Sequence, residues 1–486
     1  MRIILAFMAI AVVSAQTGPT VFVGAMVADG TGKALVAQNV RVVGDRIDRI
    51  GRFAPSVGDE VIHAEEFVLA PGFIDTHNHS GSALDTEPGA ESQVSQGITT
   101  LLVGQDGGST FPAGDWVHMR RRRPAAVNVM TLAGHATIRQ NVMGTDYRRA
   151  ASAAEITKMC GLLEVEMRSG AAGLSSGLEY EVGSYSKTEE LVELAKVAAR
   201  NRGIYVSHIR DEGDLVFDAI REIITIGELA GIPVQVSHIK LGTVAVWNRA
   251  GELVSLIEGA RRRGVDITAD CYPYDAWSST IKVLVADKKY DNRESVKKGL
   301  ADVGGAQNVT VTTCVAHRDY EFRTLAEIAA SKEASAVDLF MRIVTDGGAG
   351  VVVKSMVDAD IKVFYRQPWV MVGSDGGIGM RHPRGAGTYP RVLGRYVRDL
   401  NWLTLPEAIR KMTSLPADRL KLADRGRIEA GKKADLVLFD PAAVADRATF
   451  QKPLAISAGI RKVMVNGKLV WDEGKVTGAT PGEVLR

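Results

Sequence analysis

Two rhythms of polar and apolar positions run along this chain. From Thr20 to about Val61, short β-rich pieces (Val21-Phe22-Val23, Val40-Arg41-Val42-Val43, Arg49-Ile50) are broken by Asp29-Gly30 and Gly44-Asp45. Closely spaced strand and turn signals of this kind predict a small sheet. The rhythm returns near the C-terminus in Ala434 to Phe439 and in Val463-Met464-Val465-Asn466-Gly467-Lys468-Leu469-Val470, where Asn-Gly between apolar runs signals a hairpin. The pattern predicts one small β-sandwich domain assembled from both ends, residues 16–66 and 425–486.

The middle follows a different rhythm. Eight apolar, strand-like runs end at His77 and His79, at Asp106, at His135, near Glu179 and Tyr180, at His208, at His238, at Tyr272 and Tyr274, and at Asp375. Between several of them, Glu189 to Arg200 and Leu215 to Leu229 place apolar residues three and four apart, the period of an amphipathic helix. Eight strands alternating with helices predict an α/β fold, a (β/α)8 TIM-like barrel over 67–424, with its chemistry at the C-terminal ends of the strands. The interval 281–367 is long for one connection and carries helical pieces; it is expected to pack over the barrel mouth as a lid-like insertion.

Length and charge narrow the picture. At 486 residues the chain suits one large domain plus a smaller one. Fifty-nine lysines and arginines against 57 acids leave a net charge of +2, which gives no electrostatic case for nucleic acid or an anionic membrane. The basic block Arg120-Arg121-Arg122-Arg123 reads as a solvated helix end. Cys160, Cys271 and Cys314 are too few and too far apart for a disulfide framework or a zinc pattern, and read as free thiols. Met1-Arg2, an apolar core from Ile3 to Val13 and Ser14-Ala15 describe a signal peptide over 1–15. That core is too short to span a bilayer, so a secreted or periplasmic protein with no stable membrane anchor is expected.

Candidate chemistry gathers at the strand ends. In Pro71-Gly72-Phe73-Ile74-Asp75-Thr76-His77-Asn78-His79, strand alternation puts Asp75, His77 and His79 on one face. Two imidazoles converging there supply half of a tetrahedral zinc set. His208, His238 and Asp375, within Gly373-Ser374-Asp375-Gly376, are ligand types arriving at the same barrel mouth. His135 also sits at a strand end, near the acyl or metal side. His63, His118, His317 and His382 lack such context and read as structural or exposed.

These residues, with Gly173-Leu174-Ser175-Ser176-Gly177-Leu178-Glu179-Tyr180, His208-Ile209-Arg210-Asp211-Glu212-Gly213-Asp214, Ser237-His238-Ile239-Lys240, Ala269-Asp270-Cys271-Tyr272-Pro273-Tyr274 and Pro390 to Tyr396, resemble the amidohydrolase superfamily. The narrower resemblance is to the N-acyl-D-amino-acid deacylases, the D-aminoacylases. It implies hydrolysis of the amide of a small N-acyl-D-amino acid to a carboxylate and a free D-amino acid. It also implies one or two Zn2+ ions, or another divalent metal, held by His77, His79, His208, His238 and Asp375. Asp375 would also be the general acid/base. The family's cysteine ligand after strand two is replaced here by Asp106, a harder donor; whether Asp106 or Glu179 bridges stays open. No lysine lies between Gly170 and Tyr180, which argues against the carboxylated-lysine type of cyclic-amide hydrolase. Such a hydrolase or a dipeptidase remains the alternative enzyme, and a non-catalytic binding protein the alternative class. By resemblance, Lys240 and Arg384 would anchor the substrate carboxylate, with Tyr180, Tyr272 and Ser278 as hydrogen-bond donors. Oligomeric state, acyl group and preferred side chain are not legible in the sequence.

Overall fold

The computed structural model describes residues 18–486; the leader expected over residues 1–15 lies outside them. Strands from both ends of the chain hydrogen-bond into one nine-stranded sheet. Its N-terminal strands are Thr20–Val27, Val36–Val43, Arg46–Gly51, Glu60–His63 and Val68–Pro71, and its C-terminal strands are Leu436–Phe439, Ile460–Val465, Lys468–Asp472 and Lys475–Val476. The seam between the two ends is antiparallel, with Leu69 opposite Leu438 and Ala70 opposite Val437. Val68–Pro71 thus belongs to this sheet, which carries the small domain beyond the expected limit at residue 66.

Strand alternation explains how this sheet serves two cores. Phe22, Val40, Val42, Ile47, Leu69, Leu436, Leu438 and Met464 cluster on one side. They come from both flanks, so the sheet folds over its own inner face. The intervening Val68, Ala70, Val437, Phe439, Val463 and Val465 join the barrel core instead. A buried polar knot reinforces that junction: Asp435 accepts from Arg425, from Asn128 Nδ2 at 2.9 Å and from the Asn466 backbone N–H at 2.7 Å.

The barrel strands are Phe73–Asp75, Ile98–Val103, a third interrupted at Leu132 (Asn128–Thr131 and Ala133–Gly134), Gly173–Gly177, Ile204–His208, Val234–Val236, Ile267–Cys271 and Val370–Val372. Neighbours pair in parallel, with Gly177 beside His208 and Val236 beside Ala269, so the C-terminal ends stay level. The ring closes where Asn78 bridges Gly376 in parallel and the Asp375 N–H donates to the His77 carbonyl at 2.9 Å. Outer helices such as Thr188–Arg200 and Val216–Ala230 bury one face, Leu191, Leu194 and Ala198 in the first, Ile220, Ile223 and Gly227 in the second, as their 3.6-residue period requires.

The insertion differs from its expected bounds and composition. It opens on a strand, Ala276–Thr280, which with Gly350–Lys354 and Val309–Thr313 forms an antiparallel sheet. Helices Arg293–Asp302, Leu325–Ser331 and Ala336–Thr345 pack with it around a separate core including Ile281, Val296, Leu325, Ile328 and Phe340. It ends at Lys354. The next helix, Asp358–Tyr365, belongs to the barrel: Phe364 is buried in the barrel core and Tyr365 Oη donates to the Cys271 carbonyl at 2.7 Å.

Candidate metal centre

The first barrel strand stops at Asp75, and the turn after it carries His77 and His79. Asp75 does not face the other ligand types. It is buried and accepts from the Ser374 backbone N–H at 2.9 Å and from Asn78 Nδ2 at 2.8 Å, fastening the exits of the first and eighth strands together. That fastening aims the histidines. His77 Nε2 lies 3.5 Å from Asp106 Oδ1 and 3.5 Å from Asp375 Oδ1. His79 Nε2 lies 3.1 Å from Asp375 Oδ1 and 3.6 Å from Asp106 Oδ2.

The fifth and sixth strands complete the cluster. His238 Nε2 is 3.9 Å from Asp106 Oδ1 and 3.0 Å from His208 Nδ1, and His208 Nε2 is 2.8 Å from Glu179 Oε2. Two adjoining donor groups result, His77-His79-Asp106-Asp375 and Asp106-His208-His238, with Asp106 common to both. A third group, Glu179-His208-Glu212, borders them.

Three of these residues sit in the left-handed backbone region, Asp106 at φ 56°, His238 at φ 35° and Asp375 at φ 47°. Such a conformation costs about 1–3 kcal/mol for a residue with a β-carbon and persists only when the surroundings impose it. Here they do: the His238 N–H donates to Asp270 Oδ1 at 2.8 Å, and the Asp375 N–H is taken by the His77 carbonyl.

Burial and charge act together on these groups. Burial opposes charge on His77, but Asp106, Asp375 and Asp270 outweigh it and raise its pKa well above the usual value. The same burial works against Asp106 and Asp375. His77 and His238 nevertheless hold Asp106 below the ordinary carboxylate range, and Arg384 with the histidines does so for Asp375. His238 goes the other way, lowered by burial and by Lys240.

The expected substrate-binding residues other than Tyr272 line one cavity of about 290 Å3 with this cluster, and Tyr272 lies behind it against Arg384, Lys240 and His238. Tyr180 rests against the His208 ring at 4.5 Å between centroids. The Arg384 guanidinium lies 4.8 Å over the Tyr272 ring, with Nη1 2.7 Å from Asp375 Oδ2, while Ser278 lines the cavity from the insertion. Lys240 lines the same cavity and has an acid beside it. Its ammonium is 2.6 Å from Glu212 Oε1 and 2.9 Å from His238 Nδ1, so a neighbouring acid already holds it.

Two residues in this assembly escaped the sequence reading. Glu212, four positions after His208, binds His238 Nδ1 at 2.9 Å as well as Lys240. Asp270, inside the seventh strand, is fully buried, holds the His238 backbone and lies 3.5 Å from His77 Nδ1. An acid within an apolar strand is a usable signal, because a buried carboxylate needs partners. His135 is not at the site: it is buried against Glu190, 2.8 Å away. His382 is buried and structural, accepting from the Arg384 N–H at 3.0 Å. His63 and His118 are exposed, and His317 pairs with Asp346 at 2.7 Å.

The sequence pattern of the Amidohydrolase family matches residues 60–471. The chain is 36% identical to the D-aminoacylase of Alcaligenes xylosoxydans xylosoxydans over 95% of this chain and 96% of that one. It is equally, at 36%, identical to the N-acyl-D-glutamate deacylase of the same organism, over 95% of each chain. Among solved structures, the N-acyl-D-glutamate deacylase of Bordetella bronchiseptica superposes with a TM-score of 0.88 at 33% identity, covering 96% of this chain and 99% of that one. That structure holds zinc and a phosphonate inhibitor that mimics the tetrahedral intermediate of its reaction.

Proposed function

This chain belongs to the amidohydrolase family, and on that footing we propose that it hydrolyses the amide bond of N-acyl-D-amino acids to a carboxylate and a free D-amino acid. The observation that carries the reading is the convergence of His77, His79, His208, His238, Asp106 and Asp375 from five barrel strand ends, all but the buried His77 lining one cavity. Curated relatives over nearly the whole chain act on N-acyl-D-amino acids, which supports the D preference.

The donor set suits zinc. His77 Nε2 and Asp106 Oδ1 are buried without a hydrogen-bond partner, and imidazole nitrogens with carboxylate oxygens are zinc ligands. His77, His79, Asp106 and Asp375 would hold one ion, and Asp106, His208 and His238 a second, with Glu179 beside His208. A divalent cation bound there lowers the pKa of water to about 7 and polarises the amide carbonyl.

The chain's own groups do the rest. Asp375 lines the cavity, is 5% exposed and is held anionic by Arg384 and the histidines; it takes the proton from the attacking water and passes it to the departing amine nitrogen, which leaves only once protonated. Arg384 Nε is buried with no hydrogen-bond partner and presents a planar donor suited to the substrate carboxylate. Tyr180 lines the cavity against the His208 ring. Glu212 accepts from the second ring nitrogen of His238 and so sets its orientation, while Lys240 pairs with Glu212.

The test is metal content together with turnover. Purified protein should contain zinc and release free amino acid from N-acetyl-D-methionine, with little or none from the L isomer, hydantoin or a dipeptide. Turnover of hydantoin or dipeptide in preference to N-acetyl-D-methionine would overturn the reading. Export from the cytoplasm is part of the proposal and rests on the leader pattern of residues 1–15; N-terminal sequencing of the mature protein should begin near Gln16.

A further inference from the structure

The sequence and the relatives leave the side chain of the substrate open, but the cavity wall does not. Beyond the metal-ligand cluster, apolar wall comes from the insertion, Val283, Leu284, Ala286 and Val303, and from Met380. At about 290 Å3 the cavity is small for a ligand pocket, so a bound substrate must bring its side chain against this surface. The charges on the wall are arranged one way. Among the described residues that line the cavity, Lys240, Lys298 and Arg384 carry fixed positive charge, and each already faces an acid. Lys240 is held by Glu212 at 2.6 Å and Arg384 faces Asp375 at 2.7 Å. Lys298 sits between Asp302 Oδ2 at 2.6 Å and Asp214 Oδ2 at 3.0 Å. That last cluster is one cation between two anions, a net negative charge on the wall, with Asp211 also lining the cavity nearby.

The α-carboxylate shared by all such substrates takes Arg384. A second carboxylate on the side chain would meet apolar surface and the surplus acid of this cluster, with no cation left to pair with. Resting on the deacylase reading above, we propose that this enzyme selects N-acyl-D-amino acids with uncharged, apolar side chains, and that Asp214 and Asp302 bar acidic ones by occupying Lys298. The three side chains are 42%, 26% and 61% exposed respectively, so exchanging them should not unfold the chain, and the discrimination should weaken as salt screens it.

The experiment compares kcat/KM for N-acetyl-D-leucine and N-acetyl-D-glutamate on the zinc-loaded enzyme. These charges are partly exposed and so screened; leucine should win by about tenfold, and by less at high salt. The double variant Asp214→Asn/Asp302→Asn should cut that ratio about tenfold by freeing Lys298, and adding Lys298→Ala should cancel the gain on the glutamate substrate. Comparable kcat/KM for both substrates, or an unchanged ratio in the double variant, would overturn this inference while leaving deacylase activity in place. Turnover of neither substrate would instead remove the function on which it rests.

Discussion

At the scale of single residues, the site depends on side chains placed in backbone conformations they disfavour. Asp375 at φ 47° is one, and asparagine tolerates that region, so Asp375→Asn isolates chemistry from folding. We expect kcat to fall by about 10²–10⁴-fold with an unfolding temperature close to that of the parent; full turnover would strip Asp375 of its role. A different residue tests how burial sets protonation. Lys411 is enclosed beneath the barrel and donates to the carbonyls of Gln367 and Val370. Burial lowers its pKa from 10.5 to about 7. Between those values the unfolded chain holds a proton that the folded chain has released, so this group makes stability rise with pH across that window. Thermal unfolding of Lys411→Met should show a flatter rise between about pH 7 and 10 than the parent.

At the scale of elements, the strand ends were legible because the ligand residues cap apolar runs, and each run has one dominant period. Glu212 and Asp270 were not, because their value lies in partners 26 to 35 positions away along the chain that only folding brings close: Lys240 and His238 for one, the His238 backbone and Gln235 for the other. The acid beside Lys240 was hidden for the same reason, since its sequence neighbour His238 was visible and Glu212 was not. The strands of the insertion were missed because five-residue runs such as Val309–Thr313 and Gly350–Lys354 resemble the ends of helices when no period repeats. The helix Arg293–Asp302 gives the insertion its wall, and Gly299 lets it approach. A β-carbon there would meet the Leu284 carbonyl oxygen at 2.1 Å. Alanine favours an isolated helix by about 1 kcal/mol over glycine, yet Gly299→Ala should lower kcat/KM by displacing this helix from residues 281–284, with zinc content unchanged. An unaltered kcat/KM would show that the wall tolerates the shift.

At the scale of the whole molecule, the barrel core, the small-domain core, the insertion's own core and a shared sheet hold the chain together. Terminal strands were readable as β from composition, but not that Val68–Pro71 would pair with Leu436–Phe439, because a pairing more than 360 residues apart leaves no mark on either segment. The buried junction is centred on Arg425, 2% exposed, which reaches Asp435, Asn466 Oδ1 at 2.9 Å and Glu483 at 2.8 Å. Removing one partner from a buried ionic cluster strands the others, so Arg425→Ala should cost about 3–5 kcal/mol in denaturant unfolding. A loss below about 1 kcal/mol would mean that water readily replaces the guanidinium.

The insertion's separate core has a consequence for how such an enzyme changes over time. A wall that carries its own seed of stability can be rewritten, or exchanged as a cassette over residues 276–354, without disturbing the imidazoles and carboxylates rooted in the barrel. New diets would then be acquired at the doorway, while the hydrolytic machinery behind it stays as it was.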